Sequence, residues 1–555
     1  MQLYLKCLTF SIFFVAFVHL TIGTYFEHYE SIVNALVVGE FTSQIDNTLF
    51  TPVWFMVMPL FSALTQWTES TNVYSLFMSF FSTVILSALL YSIILLLNKR
   101  VSQRLRILFL IIFVLLYVDC IIHIYNQRIS FCSILAAFLL FIALKENNQP
   151  WYMYMLVVFL SLLGLLARLE IAVLTSGIVM IAGFLFQKRS FIIVSSFYFV
   201  ICLATFSVYK VYQTRHYYRN ALILQAEQEF EDRFSVSPSS YSDLNSQLIV
   251  NAMSRYIQDD EVFGTDEYLN LVCNQSFTDY LGSSRFWEAY NRKLFGIWDD
   301  LVDYRWLIGF TALNLLLILI SGIQPLSYVN MNPFKTAFML AVIIVVPLAI
   351  NLHSTTPYSF TVSLLILVNL GGLWLYVISG SNKVMAVLAL LLVASSIGIL
   401  MHLNTIKNRE EVKYQKAKSV RDMLAELNQL NKSIVMMNGT HFDFYPSKLY
   451  SDLYSKKIQH HYVDFFLGSY NFISQHSKDF FGGDYTSLKR KILTIANNDN
   501  VVVVDISNGQ SDSQEFYAKY MGHFYQMNLV FTEIANLKST TESVKGYYLH
   551  TMELK

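Results

Sequence analysis

One apolar stretch sets the class of this protein: YSLFMSFFSTVILSALLYSIILLL, residues 74–97. It holds no charged residue, and the basic pair Lys99 and Arg100 follows after one intervening residue. Because about 20 helical residues are needed to cross about 30 Å of hydrocarbon, this stretch predicts a transmembrane helix. Of the 555 residues, 55% are hydrophobic and 14% charged, whereas a soluble protein carries about 25% charge. The sequence therefore predicts a membrane protein.

Similar apolar runs predict a mainly α, polytopic membrane protein with about 11 transmembrane helices. They lie near residues 4–23, 74–97, 107–125, 129–145, 151–168, 170–187, 191–209, 306–323, 336–352, 358–379 and 384–402. The first run has no small-x-small cleavage site and precedes many others, so it is predicted to be a retained helix. Leu49–Trp67, broken by two prolines, predicts two short helices in the membrane interface, with a kinked transmembrane helix as the alternative.

Basic residues predict the orientation of these helices, since Lys and Arg near helix ends stay on the cytoplasmic side. With the N-terminus inside, the short outer loops carry only Arg128 and Arg168. The cytoplasmic segments then carry Lys6, Lys99, Arg100, Arg104, Arg106, Lys145, Lys188, Arg189, Lys335 and Lys383. We expect a multi-pass protein of the cytoplasmic (inner) membrane, with all large polar segments outside. The sequence has no GxxxxGK[ST] phosphate loop, which disfavours ATP-driven chemistry.

This topology predicts four parts. They are an N-terminal transmembrane module with an acidic first outer loop (1–209), an extracytoplasmic helical region (210–305), C-terminal transmembrane helices (306–402) and a small extracytoplasmic α/β domain (403–555). Strand candidates at Ser433–Met437 and Asn500–Ser507 support the last part, and about 150 residues suffice for a separate core. The five cysteines lie mostly in apolar runs without metal-ligand spacing, so no disulfide framework or cysteine zinc site is expected.

The first outer loop begins with TYFEHYESIVNALVVGEF, residues 24–41, which contains Glu27, Glu30 and Glu40 and no Lys or Arg. Asp46 follows five residues later. A carboxylate held between lipid and water has a raised proton affinity, which suits it to accept a proton from a nucleophile. Glu27, Glu30 and Asp46 are therefore the candidate catalytic residues. The alternative is that these acids only solvate an outer loop.

A second polar feature interrupts the apolar stretch LLGLLARLEIAVL, residues 162–174. Charges near bilayer depth are expensive and usually face a cavity or a partner. The guanidinium of Arg168 suits the binding of a phosphate or pyrophosphate, with Glu170 orienting it. The alternative is a tight turn whose charges lie among the lipid headgroups.

Other polar residues give weaker signals. Asp119 and His123, four residues apart near the outer end of the third helix, predict a structural ion pair. His353, in a short outer loop, is a further candidate for the phosphate site, or an interfacial histidine without function. The acidic cluster Asp259–Phe263 lacks the glycine-turned loop of a calcium site. The cofactor is thus unknown from the sequence, with a divalent cation as one option.

The start of the first outer loop resembles that of lipid-linked-sugar glycosyltransferases of the GT-C fold, such as protein O-mannosyltransferases and aminoarabinose transferases. In those families the loop carries the catalytic acid within an Asp-Glu pair. Here the pair reads Phe26-Glu27, which leaves open whether Glu27 or Glu30 takes that role. The rest resembles a largely uncharacterised group of bacterial polytopic proteins of surface-polysaccharide gene clusters. The matching segments are GEFTSQIDNTLF (39–50), LLARLEIAVL (165–174) and DDEVFGTDEYL (259–269).

The resemblance implies a membrane glycosyltransferase that uses a polyprenyl-phosphate-linked sugar, with the donor phosphate near Arg168. A glycan or other acceptor would bind on the outer face, where aromatic side chains stack on sugars. The alternatives are a flippase or transporter, or a polymerase or ligase, of lipid-linked glycans, and a non-catalytic membrane scaffold that carries the C-terminal domain. A transporter would need charged residues that line a passage open to both sides of the membrane, whereas the acids cluster outside and the inner half of the helices is almost uncharged. The formal net charge of zero gives no argument for a nucleic-acid partner.

Overall fold

We describe the fold from a computed structural model, which is mainly helical, as predicted. The residues it describes are 2–26, 57–68, 73–98, 101–186, 191–209, 211, 243–254, 259, 261–262, 304–320, 362, 365–366, 369, 384–428, 433–436, 462–464, 487–505, 512–537 and 547–554. Four of the predicted site residues, Glu27, Glu30, Asp46 and His353, lie outside the described residues.

The helices of the described part are labelled in chain order. They are α1 (Gln2–Thr21), α2 (Met58–Thr68), α3 (Val73–Asn98), α4 (Gln103–Ile122), α5 (Asn126–Glu146), α6 (Tyr154–Ala167), α7 (Leu169–Phe186), α8 (Phe191–Tyr209), α9 (Leu244–Ser254), α10 (Arg305–Ile320), α11 (Val384–Asn428), α12 (Leu488–Ala496) and α13 (Asp512–Tyr525). Within the described part of the chain, six segments are long and apolar enough to cross a membrane: α1, α3, α4, α5, α8 and Ala386–Gln415 of α11. They are compatible with a multi-pass membrane protein. The count of eleven stays a prediction, since the run at 336–352 lies outside the described residues.

Helix α3 lies at the centre of the bundle, where most of its side chains are buried. Helices α1, α4 and α5 pack against it. Its buried serines, among them Ser87 and Ser92, are small enough to let neighbouring helices approach. Helices α5 and α6 approach even more closely at Gly164, where a Cβ atom would lie 2.5 Å from Cγ1 of Ile134. Small residues thus set the spacing of the bundle.

Helix α2 covers the second part of the segment predicted to hold two interface helices. Phe61 is buried against the bundle, with its ring centroid 5.8 Å from that of Tyr74. Leu60 and Trp67 are 56% and 82% exposed. One protein-facing side and large exposed apolar side chains suit a helix that lies in the membrane interface. Residues 49–56, which would hold the other helix, are outside the described part.

Several helices begin or end at one end of the bundle. Helices α1 and α4 both end there, and just beyond them strand β1 (Tyr25–Phe26) pairs in parallel with strand β2 (His123–Ile124). Helix α5 begins at the same end. Near its start, Ser130 donates a hydrogen bond to the carbonyl oxygen of Arg168, in the turn between α6 and α7. The polar residues considered below lie at this end.

Helix α11 continues beyond the end of the last predicted transmembrane run, residue 402. The domain boundary expected between residues 402 and 403 falls inside one continuous helix of 45 residues. The segment after this boundary, NTIKNREEVKYQKAKSVRDMLAELN (404–428), contains many good helix formers and no Gly or Pro that would end a helix. The apolar first part and the charged second part therefore form one rod.

The described residues after α11 include a five-stranded sheet. Its strands are β3 (Ser433–Met436), β4 (Tyr462–Asp464), β5 (Val501–Asp505), β6 (Leu529–Leu537) and β7 (Tyr547–Leu554), in the order β4-β3-β5-β7-β6. Strand β3 runs parallel to β4 and β5, whereas β7 is antiparallel to β5 and β6. Helix α12 packs against β7 and α13 against β6. Three valines of β5, Val501, Val502 and Val503, are buried.

Candidate functional site

A buried carboxylate, Asp119 in the last turn of α4, is the centre of the candidate site. Its Oδ1 atom lies 3.0 Å from Nδ1 of His123 and 2.9 Å from Nε2 of His402. Its Oδ2 atom accepts a hydrogen bond from Nη1 of Arg128. A carboxylate oxygen only accepts hydrogen bonds, so both imidazole nitrogens donate in this arrangement. The charge of Asp119, which is 3% exposed, is thereby compensated, as a buried charge requires.

Arg128 connects Asp119 to a third helix. It lies in the first turn of α5, where the side chain is almost fully buried. Its Nη1 atom also donates to the carbonyl oxygen of Asp119 at 3.2 Å, and its Nη2 atom donates to the hydroxyl of Tyr304 at 3.0 Å. Tyr304 precedes the first residue of α10. Arg128 therefore lies in a helix rather than in the predicted short loop, and its charge is buried inside the bundle.

His402 reaches the cluster from α11. Its ring lies near two aromatic rings, with centroids 4.9 Å from Tyr304 and 5.7 Å from Trp306. The side chain is buried, and its second nitrogen, Nδ1, has no hydrogen-bond partner among the described residues. Buried polar atoms of this kind are uncommon and call for an explanation. The ring is thus held on one edge by Asp119, while its other nitrogen remains available.

Arg409 extends the cluster toward the surface. Its Nη2 atom lies 3.4 Å from Nε2 of His123, and its Nε atom lies 3.3 Å from Oε1 of Glu410. Lys413, one turn further along α11, contacts the same oxygen of Glu410 at 3.0 Å. The Arg409 side chain is 38% exposed. A positive charge therefore lies between the buried cluster and the surroundings.

The strand pair at this end links the cluster to the predicted acidic loop. Tyr25 pairs with His123 and Phe26 pairs with Ile124. Glu27 is the next residue in the sequence. The predicted acidic loop therefore begins beside the cluster.

Arg168 and Glu170 lie at the same end of the bundle. Nε of Arg168 is 3.3 Å from Oε2 of Glu170, and the side chains are 16% and 37% exposed. The backbone is fixed by Ser130, whose hydroxyl donates to the carbonyl oxygens of Gly164 at 2.7 Å and of Arg168 at 3.2 Å. The pair therefore has a rigid support from α5, the helix that also carries Arg128.

Two acids of the predicted acidic cluster, Asp259 and Glu261, contact residues of the C-terminal part. Asp259 accepts hydrogen bonds from the hydroxyls of Tyr520 at 3.0 Å and Tyr525 at 2.8 Å. Glu261 accepts one from Ser487 at 2.6 Å. Burial raises the pKa of Asp259 to about 6. These contacts attach the segment around Asp259 and Glu261 to helix α13 and to the start of α12.

The sequence predicted only part of the central cluster. The i, i+4 spacing identified Asp119 and His123, whereas His402 served only to mark the end of a helix. A histidine inside the apolar stretch SSIGILMHLNTI (395–406) was the signal that could have drawn attention to it.

No protein-family model, curated protein or solved structure matches the chain. The functional proposal therefore depends on the geometry of the site.

Proposed function

We propose that this protein is a membrane glycosyltransferase of the GT-C type, which transfers a sugar from a polyprenyl-phosphate-linked donor to an acceptor on the outer face of the membrane. One observation carries the proposal. The buried cluster around Asp119, the Arg168–Glu170 pair and the start of the acidic loop share one end of an apolar bundle. Buried charges are expensive in such surroundings and mark functional sites by default.

The proposed topology places this end outside, in a protein of the inner membrane with about 11 spans and a cytoplasmic N-terminus. Two basic residues, Arg106 near the start of α4 and Lys145 near the end of α5, lie at the opposite end of the bundle. This distribution supports the orientation, because basic residues are retained on the cytoplasmic side. The sheet after α11 would then belong to an extracytoplasmic α/β domain.

The proposed reaction is a displacement at the anomeric carbon of the donor sugar. The donor enters from the bilayer and its phosphate binds Arg168, which Glu170 orients, with Arg409 as a second cation at the surface of the cluster. His353 remains a further candidate for this phosphate site. The C-terminal part, attached to the outer segment through Asp259, would hold the glycan or other acceptor.

Proton transfer completes this scheme. One acid of the first loop, Glu27, Glu30 or Asp46, accepts the proton of the acceptor hydroxyl. The hydroxyl oxygen bonds to the anomeric carbon while the bond from that carbon to the phosphate oxygen breaks. Polyprenyl phosphate leaves, and positive charge near its oxygens stabilises the transition state.

Substitution of the three acids tests this proposal. The purified protein is placed in proteoliposomes with a series of polyprenyl-phosphate hexoses, and release of polyprenyl phosphate is measured. Among Glu27→Gln, Glu30→Gln and Asp46→Asn, we expect at least one to lower the rate by 100-fold or more, since general-base catalysis contributes about 10²–10⁴-fold. Glu515→Gln, at an exposed acid of α13, is the matched control.

Two outcomes would contradict the proposal. One is full activity in all three acid variants. The other is the absence of any polyprenyl phosphate release by the unchanged protein while the same liposomes move lipid-linked sugars between leaflets, which would favour the flippase alternative.

A further inference from the structure

We infer that Asp119, His123 and His402 form a binding site for one divalent transition-metal ion of the zinc type. The inference rests on ligand geometry alone and does not depend on the transferase proposal. One ligand atom from each of the three side chains lies within 4.8 Å of the others, and all three residues are buried. The three residues lie in α4, β2 and α11, so the tertiary fold brings them together.

The spacing suits a small metal ion. In a tetrahedral site with bonds of about 2.0–2.1 Å, neighbouring ligand atoms are separated by about 3.3 Å. Oδ1 of Asp119 is 2.9 Å from Nε2 of His402 and 3.0 Å from Nδ1 of His123. An ion would replace the two hydrogens at Oδ1. The two separations from Oδ1 would widen by about 0.3–0.4 Å, and the two histidine nitrogens, which lie within 4.8 Å of each other, would take up the same tetrahedral spacing.

The chemistry of the donors favours zinc over magnesium or calcium. Two imidazoles and one carboxylate suit zinc and its first-row neighbours, whereas magnesium and calcium prefer oxygen ligands. Three protein ligands leave a fourth position of a tetrahedral ion for water or a substrate, which is the pattern of catalytic rather than structural zinc sites.

Arg128 supplies the support that a ligating carboxylate needs. Its guanidinium holds Oδ2 of Asp119, so Oδ1 is turned toward both histidines. Carboxylate ligands are commonly held in this way by hydrogen bonds from outside the ligand set.

The positive charge of Arg409 is expected to weaken metal binding at this site. Its guanidinium lies 3.4 Å from Nε2 of His123, so it opposes a divalent ion bound at Nδ1 of the same ring. With Nδ1 bound to metal, Nε2 carries the ring hydrogen and faces a second donor. Removing this charge should therefore strengthen metal binding, whereas removing a ligand should weaken it.

The test is metal binding by the full-length protein in nanodiscs, stripped with a chelator and titrated with Zn²⁺ or Co²⁺. We expect one Zn²⁺ per chain and visible absorption from bound Co²⁺. His402→Gln should lower the Zn²⁺ affinity by 100-fold or more, since a ligand is lost. His523→Gln, at an exposed histidine of α13, should bind as the unchanged protein does.

Arg409→Gln changes a partly exposed residue. It therefore provides a second test if the His402 variant does not fold. We expect about tenfold tighter Zn²⁺ binding, the size of effect that one nearby charge exerts. The inference is overturned if the unchanged protein binds neither ion, if His402→Gln binds with unchanged stoichiometry and affinity, or if Arg409→Gln weakens binding. Normal metal binding by an unchanged protein that transfers no sugar would instead count against the transferase proposal alone.

Discussion

Asp119 and Asp259 are both buried carboxylates, yet their partners differ in kind. Asp119 contacts a guanidinium and two imidazoles inside the helix bundle. Asp259 contacts two neutral tyrosine hydroxyls of α13. Basic partners create a charged site that can bind ions and move protons, whereas tyrosine hydroxyls mainly fasten one segment to another. The comparison separates a site suited to chemistry from a structural attachment.

The largest effect is expected on stability, when the cation beside Asp119 is removed. Arg128→Gln leaves the buried carboxylate of Asp119 without its guanidinium, and loss of one partner of a buried pair costs about 3–5 kcal/mol. Unfolding by denaturant in mixed micelles should show this loss. Arg104→Gln, at an exposed position at the other end of α4, should change stability by less than about 0.5 kcal/mol.

A double variant checks the cause of that loss. Asp119→Asn combined with Arg128→Gln removes both charges, so we expect it to be more stable than Arg128→Gln alone. Equal stability of Arg128→Gln and the unchanged protein would show that Asp119 is not held by this contact.

A smaller effect is expected at the attachment formed by Asp259. Asp259→Ala removes the acceptor of two tyrosine hydroxyls, and hydrogen bonds to a charged group contribute about 1.5–3 kcal/mol. Hydrogen exchange of the α13 amides should become faster, while that of the bundle helix α3 stays unchanged. Lys519→Gln, at an exposed site of α13, is the control. Unchanged exchange in α13 would contradict the proposed attachment.

The sequence predicted the bundle better than the site. Apolar runs placed the helices because one physical requirement, the thickness of hydrocarbon, acts along the chain. The spacing of Asp119 and His123 predicted their pairing for a similarly local reason. His402 could not be assigned to them, because it lies 283 residues away from Asp119 in the sequence. Glu27, Glu30 and Asp46 stay predictions, since they lie outside the described residues.

The smallest expected effect is the pH dependence of the Asp259 attachment. Burial raises the pKa of Asp259 to about 6, above the ordinary value of about 3.9. The attached form therefore binds more protons between these values, and the attachment strengthens as the pH falls from 7 to 5, by about 1 kcal/mol. Protection factors of the α13 amides, corrected for intrinsic exchange, should rise accordingly. Asp259→Asn should remove this rise, and a fall in protection would contradict the assignment.

The central claim is that chemistry takes place at the end of the bundle that holds Asp119, and not at the attachment around Asp259. The most direct measurement compares polyprenyl phosphate release by His402→Gln, Arg168→Lys and Tyr525→Phe in the same proteoliposomes, each checked for folding. We predict that the first two lose at least 90% of the rate and that Tyr525→Phe retains at least half. Wild-type rates in both His402→Gln and Arg168→Lys would contradict the claim.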